Sequence, residues 1–200
     1  MQKNLSCLTL IVCTNCTMPG YIHHIQWSVT DLQLAQNKLS REYGMKVVAR
    51  REAEARREVV LQSGSVVFLL SETVEKMVVE DSREDCYPWL SSARQATDSV
   101  FNICLHVGDV RGCHERMTGH GAVSISPPRD MVTSEGLVSC AVVTSPCSNV
   151  VHSLVNTDSY SGHFLPGYTQ VADEDGEAQD LLTSIDHGGF FSFWSLLRFT

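Results

Sequence analysis

Two hundred residues, 43% hydrophobic and 19% charged, can bury an ordinary core, which excludes a disordered chain. A formal net charge of −8 excludes nucleic acid as a main partner, because phosphate binding needs clustered Lys and Arg. The 8 cysteines would imply disulfides in a secreted chain, yet the apolar stretch from Leu5 to Cys13 lacks a small-residue cleavage site and falls well short of the roughly 20 residues of a membrane span. Reduced thiols inside a cell are the expectation.

Residues 1–20 read as an N-terminal extension. It holds Cys13-Thr14-Asn15-Cys16, with CxxC spacing and His23-His24 downstream, but no second ligand pair at zinc spacing, so chance is the expected reading. Asn4-Leu5-Ser6 and Asn15-Cys16-Thr17 fit the N-glycosylation pattern, which matters only in a secreted chain.

From Tyr21 onward, Ile25, Trp27 and Val29 alternate with Gln26 and Ser28, the period of a strand with one buried face. Asp31 is placed to cap a helix carrying Leu32, Ala35, Leu39 and Tyr43 at helical spacing, and Gly44 supplies its stop. Strands are predicted near Lys46–Arg50, Arg57–Leu61 and Ser65–Leu70, with Ser63-Gly64 as a hairpin turn. The polar stretch from Thr73 to Asp98 reads as a surface connection.

The eleven residues from Ser99 to Asp109 then align without gaps onto Tyr21 to Asp31. Asp109 caps a second helix to about Thr118, and strands follow near Val123–Ser126, Leu137–Thr144 and Val150–Val155. The order β-α-β-β-β therefore occurs twice, in modules 21–72 and 99–156 of one domain, 21–170. An acidic linker, Asp173 to Glu177, follows within a last segment, 171–200.

Paired βαβββ modules resemble the vicinal-oxygen-chelate superfamily. Ser161-Gly162-His163-Phe164-Leu165-Pro166-Gly167-Tyr168, the hairpin from Arg57 to Leu70 and Ser184-Ile185-Asp186-His187 are similar to segments of the 4-hydroxyphenylpyruvate dioxygenase family and its dioxygenase-like branch. The resemblance implies an α+β fold, with both modules forming one open, glyoxalase-like barrel, followed by a C-terminal stub that begins a second, catalytic domain cut short. It also implies a non-haem Fe2+ enzyme that decarboxylates and hydroxylates an aryl-pyruvate with O2, towards homogentisate or 4-hydroxymandelate. For the dioxygenase-like branch it implies a mitochondrial location and a part in making the ubiquinone headgroup, with a cytoplasmic location as the alternative.

Such iron sites take two His and one carboxylate. The resemblance places all three ligands in the catalytic domain and finds only the first here, His187, as a candidate metal ligand. In the first module His24 stands at the equivalent strand position, but its counterpart in the second is Asn102, and His152 and Ser153 on the last strand bring no carboxylate. His106, His114, His120 and His163 have no acidic or cysteine partners at telling spacing. The expectation is a chain lacking most of the iron site, with no catalytic or other cofactor-binding residue of its own. The alternative is an inactive domain that dimerises or binds a small molecule without metal.

Overall fold

The computed structural model describes residues 20–53, 56–73, 98–145, 150–171 and 181–185. The first module is β1 (Tyr21–Ser28), α1 (Leu32–Tyr43), β2 (Lys46–Ala53), β3 (Arg56–Ser63) and β4 (Val66–Thr73). The second is β5 (Ser99–His106), α2 (Val110–Gly119), β6 (Ser124–Thr133), β7 (Gly136–Thr144) and β8 (Val151–Tyr160), and β9 (Thr169–Gln170) follows it. Both helices start as their sequence dictates: the carboxylate of Asp31 accepts from Leu34 N at 2.8 Å, and that of Asp109 from Gly112 N at 2.9 Å. Gly44 ends α1 with φ 64°, a left-handed turn that a side chain would resist.

Among the described residues the strands form one sheet in the order β6-β7-β8-β5-β1-β4-β3-β2-β9. In each module the first strand pairs with the last in parallel, β1 with β4 and β5 with β8. The modules join at the centre, where β1 and β5 run antiparallel. That seam is symmetric. The fourth residue of β1, His24, pairs with the sixth of β5, Cys104, while the sixth of β1, Gln26, pairs with the fourth of β5, Asn102.

Three apolar clusters follow from the alternation along the strands. Under α1, Leu32 and Leu39 pack on Val59, Leu61 and Leu70, and under α2, Val110 and Cys113 pack on Ala141 and Leu154. The third cluster gathers Ala49 from β2 and Met131 from β6, strands near opposite ends of the sheet, with Val60, Phe101, Phe164 and Leu165. Residues so far apart in strand order share one core only because the sheet curls around it.

Two features depart from the sequence expectation. The strand predicted to stop near Ser126 runs through Pro127-Pro128 to Thr133. It lies at the sheet edge and pairs only with β7, so the missing proline N–H groups break few ladder bonds, and the register slips between Ser126 and Arg129. The short β9, which pairs Thr169 with Arg50 and Gln170 with Ala49, is set by a distant strand rather than by local pattern.

Candidate functional site

The inner face of the curled sheet carries a buried polar network at the module seam. Asn102 Nδ2 donates to Gln26 Oε1 at 3.0 Å, and Gln26 Nε2 donates to Ser71 Oγ at 2.9 Å. Ser71 Oγ donates to Glu58 Oε1 at 2.9 Å, and both the backbone N and the hydroxyl of Ser153 donate to Asn102 Oδ1, at 3.1 and 3.0 Å. Glu58, 1% exposed, also holds Arg56 Nε at 2.9 Å and Arg51 Nη1 at 3.8 Å. Tyr168, in the segment after β8, closes the network by donating its hydroxyl to Glu58 Oε2 at 2.8 Å. Burial and the adjacent Glu58 charge hold the Tyr168 phenol well above its ordinary pKa, so it stays a neutral donor.

Beside this network, toward the start of β1, histidines cluster. The register shifts between Ile22 and His24, so His23 is the extra residue of a β-bulge. In a regular strand His23 and His24 would point to opposite faces. Here their Nδ1 atoms lie 2.8 Å apart and both rings meet Phe164, at 5.5 and 5.0 Å between centroids. Burial, with His106 nearby, lowers His23 to a pKa of about 4. Burial, with His23 alongside, holds His24 well below 6.5. Both imidazoles are neutral at pH 7.

His23 faces a cavity of about 690 Å³, walled by Tyr21, Val60, Gln62, Tyr160 and His163 among others. Ser184 and Ile185 complete one side. The run 181–185 is docked on the β3–β4 turn: Leu182 N donates to Ser63 Oγ at 3.1 Å, and Ser65 N and Oγ both donate to Thr183 O, at 3.2 and 2.7 Å. The space is large enough for a small organic acid with a polar rim on an apolar wall.

Comparison with known proteins places this geometry in a lineage. No protein-family model matches the chain. The 4-hydroxyphenylpyruvate dioxygenase-like protein of Mus musculus is 30% identical over 145 residues, which are 72% of this chain and 37% of that protein. The 4-hydroxyphenylpyruvate dioxygenase of Pyricularia oryzae is 27% identical over 165 residues, 76% of this chain and 39% of that enzyme. The chain is homologous to the 4-hydroxyphenylpyruvate dioxygenase family. It spans less than half the length of these curated relatives. A mutant 4-hydroxymandelate synthase from Streptomyces coelicolor shares the fold, with a TM-score of 0.61 and 21% identity over 81% of this chain and 45% of that one. So does methylmalonyl-CoA epimerase from the same organism, with a TM-score of 0.51 and 17% identity over 71% of this chain and 97% of the epimerase. The glyoxalase-like barrel of paired modules expected from the sequence is thus what the chain forms.

For a dioxygenase-family chain the first question is iron. The expected ligand His187 lies outside the described residues, as do Cys13, Cys16, Asn4, Asn15 and the acidic linker 173–177. Among the described residues two His and one carboxylate do not meet. His24 has its module counterpart in Asn102, whose amide is committed to Gln26 and Ser153. The buried carboxylate, Glu58, is committed to Arg56, Arg51, Ser71 and Tyr168. The family's iron set does not fit here, and no oxidative step can be derived through these residues.

Three of the other histidines have local partners. His106 Nε2 lies 3.3 Å from Asp158 Oδ1, His114 Nε2 contacts Ser124 Oγ at 2.8 Å, and His120 Nδ1 contacts Arg116 O at 2.7 Å. His163 is exposed on the cavity wall. His152 adjoins Ser153 on β8 and so projects from the other face. Sequence reasoning missed Glu58 and Tyr168 as parts of the site, and named His23 only as following the CxxC motif. Glu58 shares its strand face with Val60 and Gln62, and that alternating polar–apolar face was the available signal.

Proposed function

We propose that this module pair serves an iron(II)-dependent oxygenase of aryl-pyruvates as its iron-free domain, shaping and walling the enzyme rather than carrying the oxidative chemistry. One observation supports this above others: where each module could present a ligand from its first strand, Asn102 is tied to Gln26 and Ser153 by buried hydrogen bonds. A satisfied buried amide network fixes geometry, and displacing it for a metal would orphan several polar groups at once. The reaction assigned to the whole enzyme is decarboxylation and hydroxylation of an aryl-pyruvate with O2, towards 4-hydroxymandelate or homogentisate. The same reading extends to a mitochondrial site, with a cytoplasmic one as the alternative, and to ubiquinone-headgroup or tyrosine metabolism. His187 is carried forward as one ligand of the iron.

The test loads the purified 200-residue chain with Fe2+ without oxygen, then follows O2 uptake with 4-hydroxyphenylpyruvate. No stoichiometric iron and no turnover are expected. Turnover that survives His187→Ala would place the chemistry in the module pair and overturn the reading.

A second reading rests on the cavity of about 690 Å³ beside His23. It binds a small organic acid without metal, and 4-hydroxyphenylpyruvate in the presence of a chelator should then raise the melting temperature. Self-association of the module pair is the further alternative, and size-exclusion at several concentrations measures it.

A further inference from the structure

We propose that His23, His24 and Cys104 form a binding site for a thiophilic divalent metal, Zn2+ by preference, with a fourth coordination position opening on the cavity. The site is separate from the family's iron set and does not rest on the proposed oxygenase role. Two features of the β1–β5 pairing assemble it.

The bulge at His23 turns two consecutive imidazoles to one side, where a regular strand would offer only one. The symmetric seam between β1 and β5 then sets Cys104 directly opposite His24. As a result one ligand atom from each of the three residues falls within 4.8 Å of the others. Tetrahedral Zn2+, at about 2.0–2.1 Å to nitrogen and 2.3 Å to sulfur, needs such atoms about 3.3–3.7 Å apart. The 2.8 Å contact between the two Nδ1 atoms must therefore widen by about half an ångström, within reach of small χ adjustments.

The environment favours ligation. His24 and Cys104 are fully buried, and Phe164 covers both rings, so an incoming ion meets little competing water. Burial keeps both imidazoles unprotonated at neutral pH, the form that ligates, with His106 adding to the effect at His23. Two nitrogens and one sulfur, with no carboxylate, select zinc over ferrous iron. Binding converts the Cys104 thiol to thiolate and releases its proton to solvent, leaving a site of net charge +1 with neutral imidazoles. Three protein ligands with one open position is the arrangement of zinc sites that take water or a substrate oxygen as fourth ligand. Because His23 lines the cavity, that fourth ligand is water or the carboxylate of a small organic acid held there.

Co2+ is the probe, because a thiolate ligand gives it a charge-transfer absorption that imidazole and water do not. The reduced 200-residue chain, freed of metal, is titrated with Co2+ and then with Zn2+ in competition. One equivalent should bind with a thiolate charge-transfer band, displaced by Zn2+. Cys104→Ser should abolish the band, and His23→Gln should weaken binding at least tenfold while leaving the circular dichroism unchanged. Cys13→Ser with Cys16→Ser should leave the band intact. No band, or a band that survives Cys104→Ser and vanishes in the Cys13 and Cys16 double variant, overturns the proposal. If Cys104→Ser fails to fold, His23→Gln decides: unchanged affinity overturns the site, and a tenfold loss supports it.

Discussion

Removing the Tyr168 hydroxyl should loosen the whole inner face of the barrel. From the segment after β8 the phenol reaches the seam network, donating to Glu58 Oε2 at 2.8 Å. In Tyr168→Phe the ring keeps its edge contact with Phe164, 4.9 Å between centroids, so little packing is lost. What goes is a hydrogen bond to a buried carboxylate, with a net worth of about 1.5–3 kcal/mol. Oε2 is left with Arg51 Nη1 at 3.8 Å, too long to replace it. The expected cost is about 2 kcal/mol, or about 4–8 °C in melting temperature for a domain of this size. Glu58→Gln should cost more, about 3–5 kcal/mol, because it leaves Arg56 and Arg51 without their anion. Equilibrium urea unfolding followed by circular dichroism measures both. The double variant should lose less than the sum, by at least about 1 kcal/mol, since the two groups share one bond. Additive losses, or a Tyr168→Phe cost below about 0.5 kcal/mol, would refute the claim that this segment is latched through Glu58.

Asn102→Ala should cost about 2–4 kcal/mol in the same assay, because Gln26 Oε1 and both Ser153 donors lose their buried partner together. Asp31→Ala and Asp109→Ala should each cost about 1 kcal/mol, and nearly the same amount, since the two caps have matching geometry. Gly136→Ala should be severely destabilising in thermal unfolding, because φ is 124° and an added Cβ would collide with the Ser159 carbonyl. Acid should also weaken the fold through His23. Its folded pKa of about 4 lies below the unfolded 6.5, so the unfolded state binds the extra proton between those values; the contribution is complete above 6.5 and is lost as pH falls towards 4. That contribution is on the order of 3 kcal/mol, and urea midpoints measured across the window should vary less with pH in His23→Gln. An unchanged pH slope in that variant would refute the assignment.

The duplicated architecture was legible because its signals are local. Asp31 and Asp109 bond to backbone three residues ahead, and the alternation from Ile25 to Val29 decides a face without help from the rest of the chain. The site was less legible because long-range pairing makes it. Glu58 in isolation reads as a solvated strand residue, and becomes a buried anion only because Arg56 flanks it and Tyr168 arrives from 110 residues away. The bulge at His23 carries no glycine to announce it, and the persistence of β6 through Pro127-Pro128 depends on its being an edge, which is a property of the whole sheet.

The seam shows how one duplicated pattern came to hold two kinds of chemistry. Strands β1 and β5 are both 8 residues long, and their pairing places the fourth position of each opposite the sixth of the other. The symmetry therefore offers two equivalent pairs. One holds Gln26 and Asn102, complementary amides that bond to each other and to serines on β4 and β8, which locks the modules together. The other holds His24 and Cys104, groups with stronger metal affinity, joined by His23 through the bulge of β1 between its second and fourth residues; the matching bulge of β5, between Val100 and Asn102, carries Phe101 instead. A buried amide network resists exchange of ligands, whereas neutral imidazoles and a thiol beside a cavity are themselves metal ligands. Rigidity at one symmetric position thus supports exchangeable chemistry at the other, and the variants Asn102→Ala and His23→Gln separate them: the first should lower stability, and the second metal affinity at neutral pH.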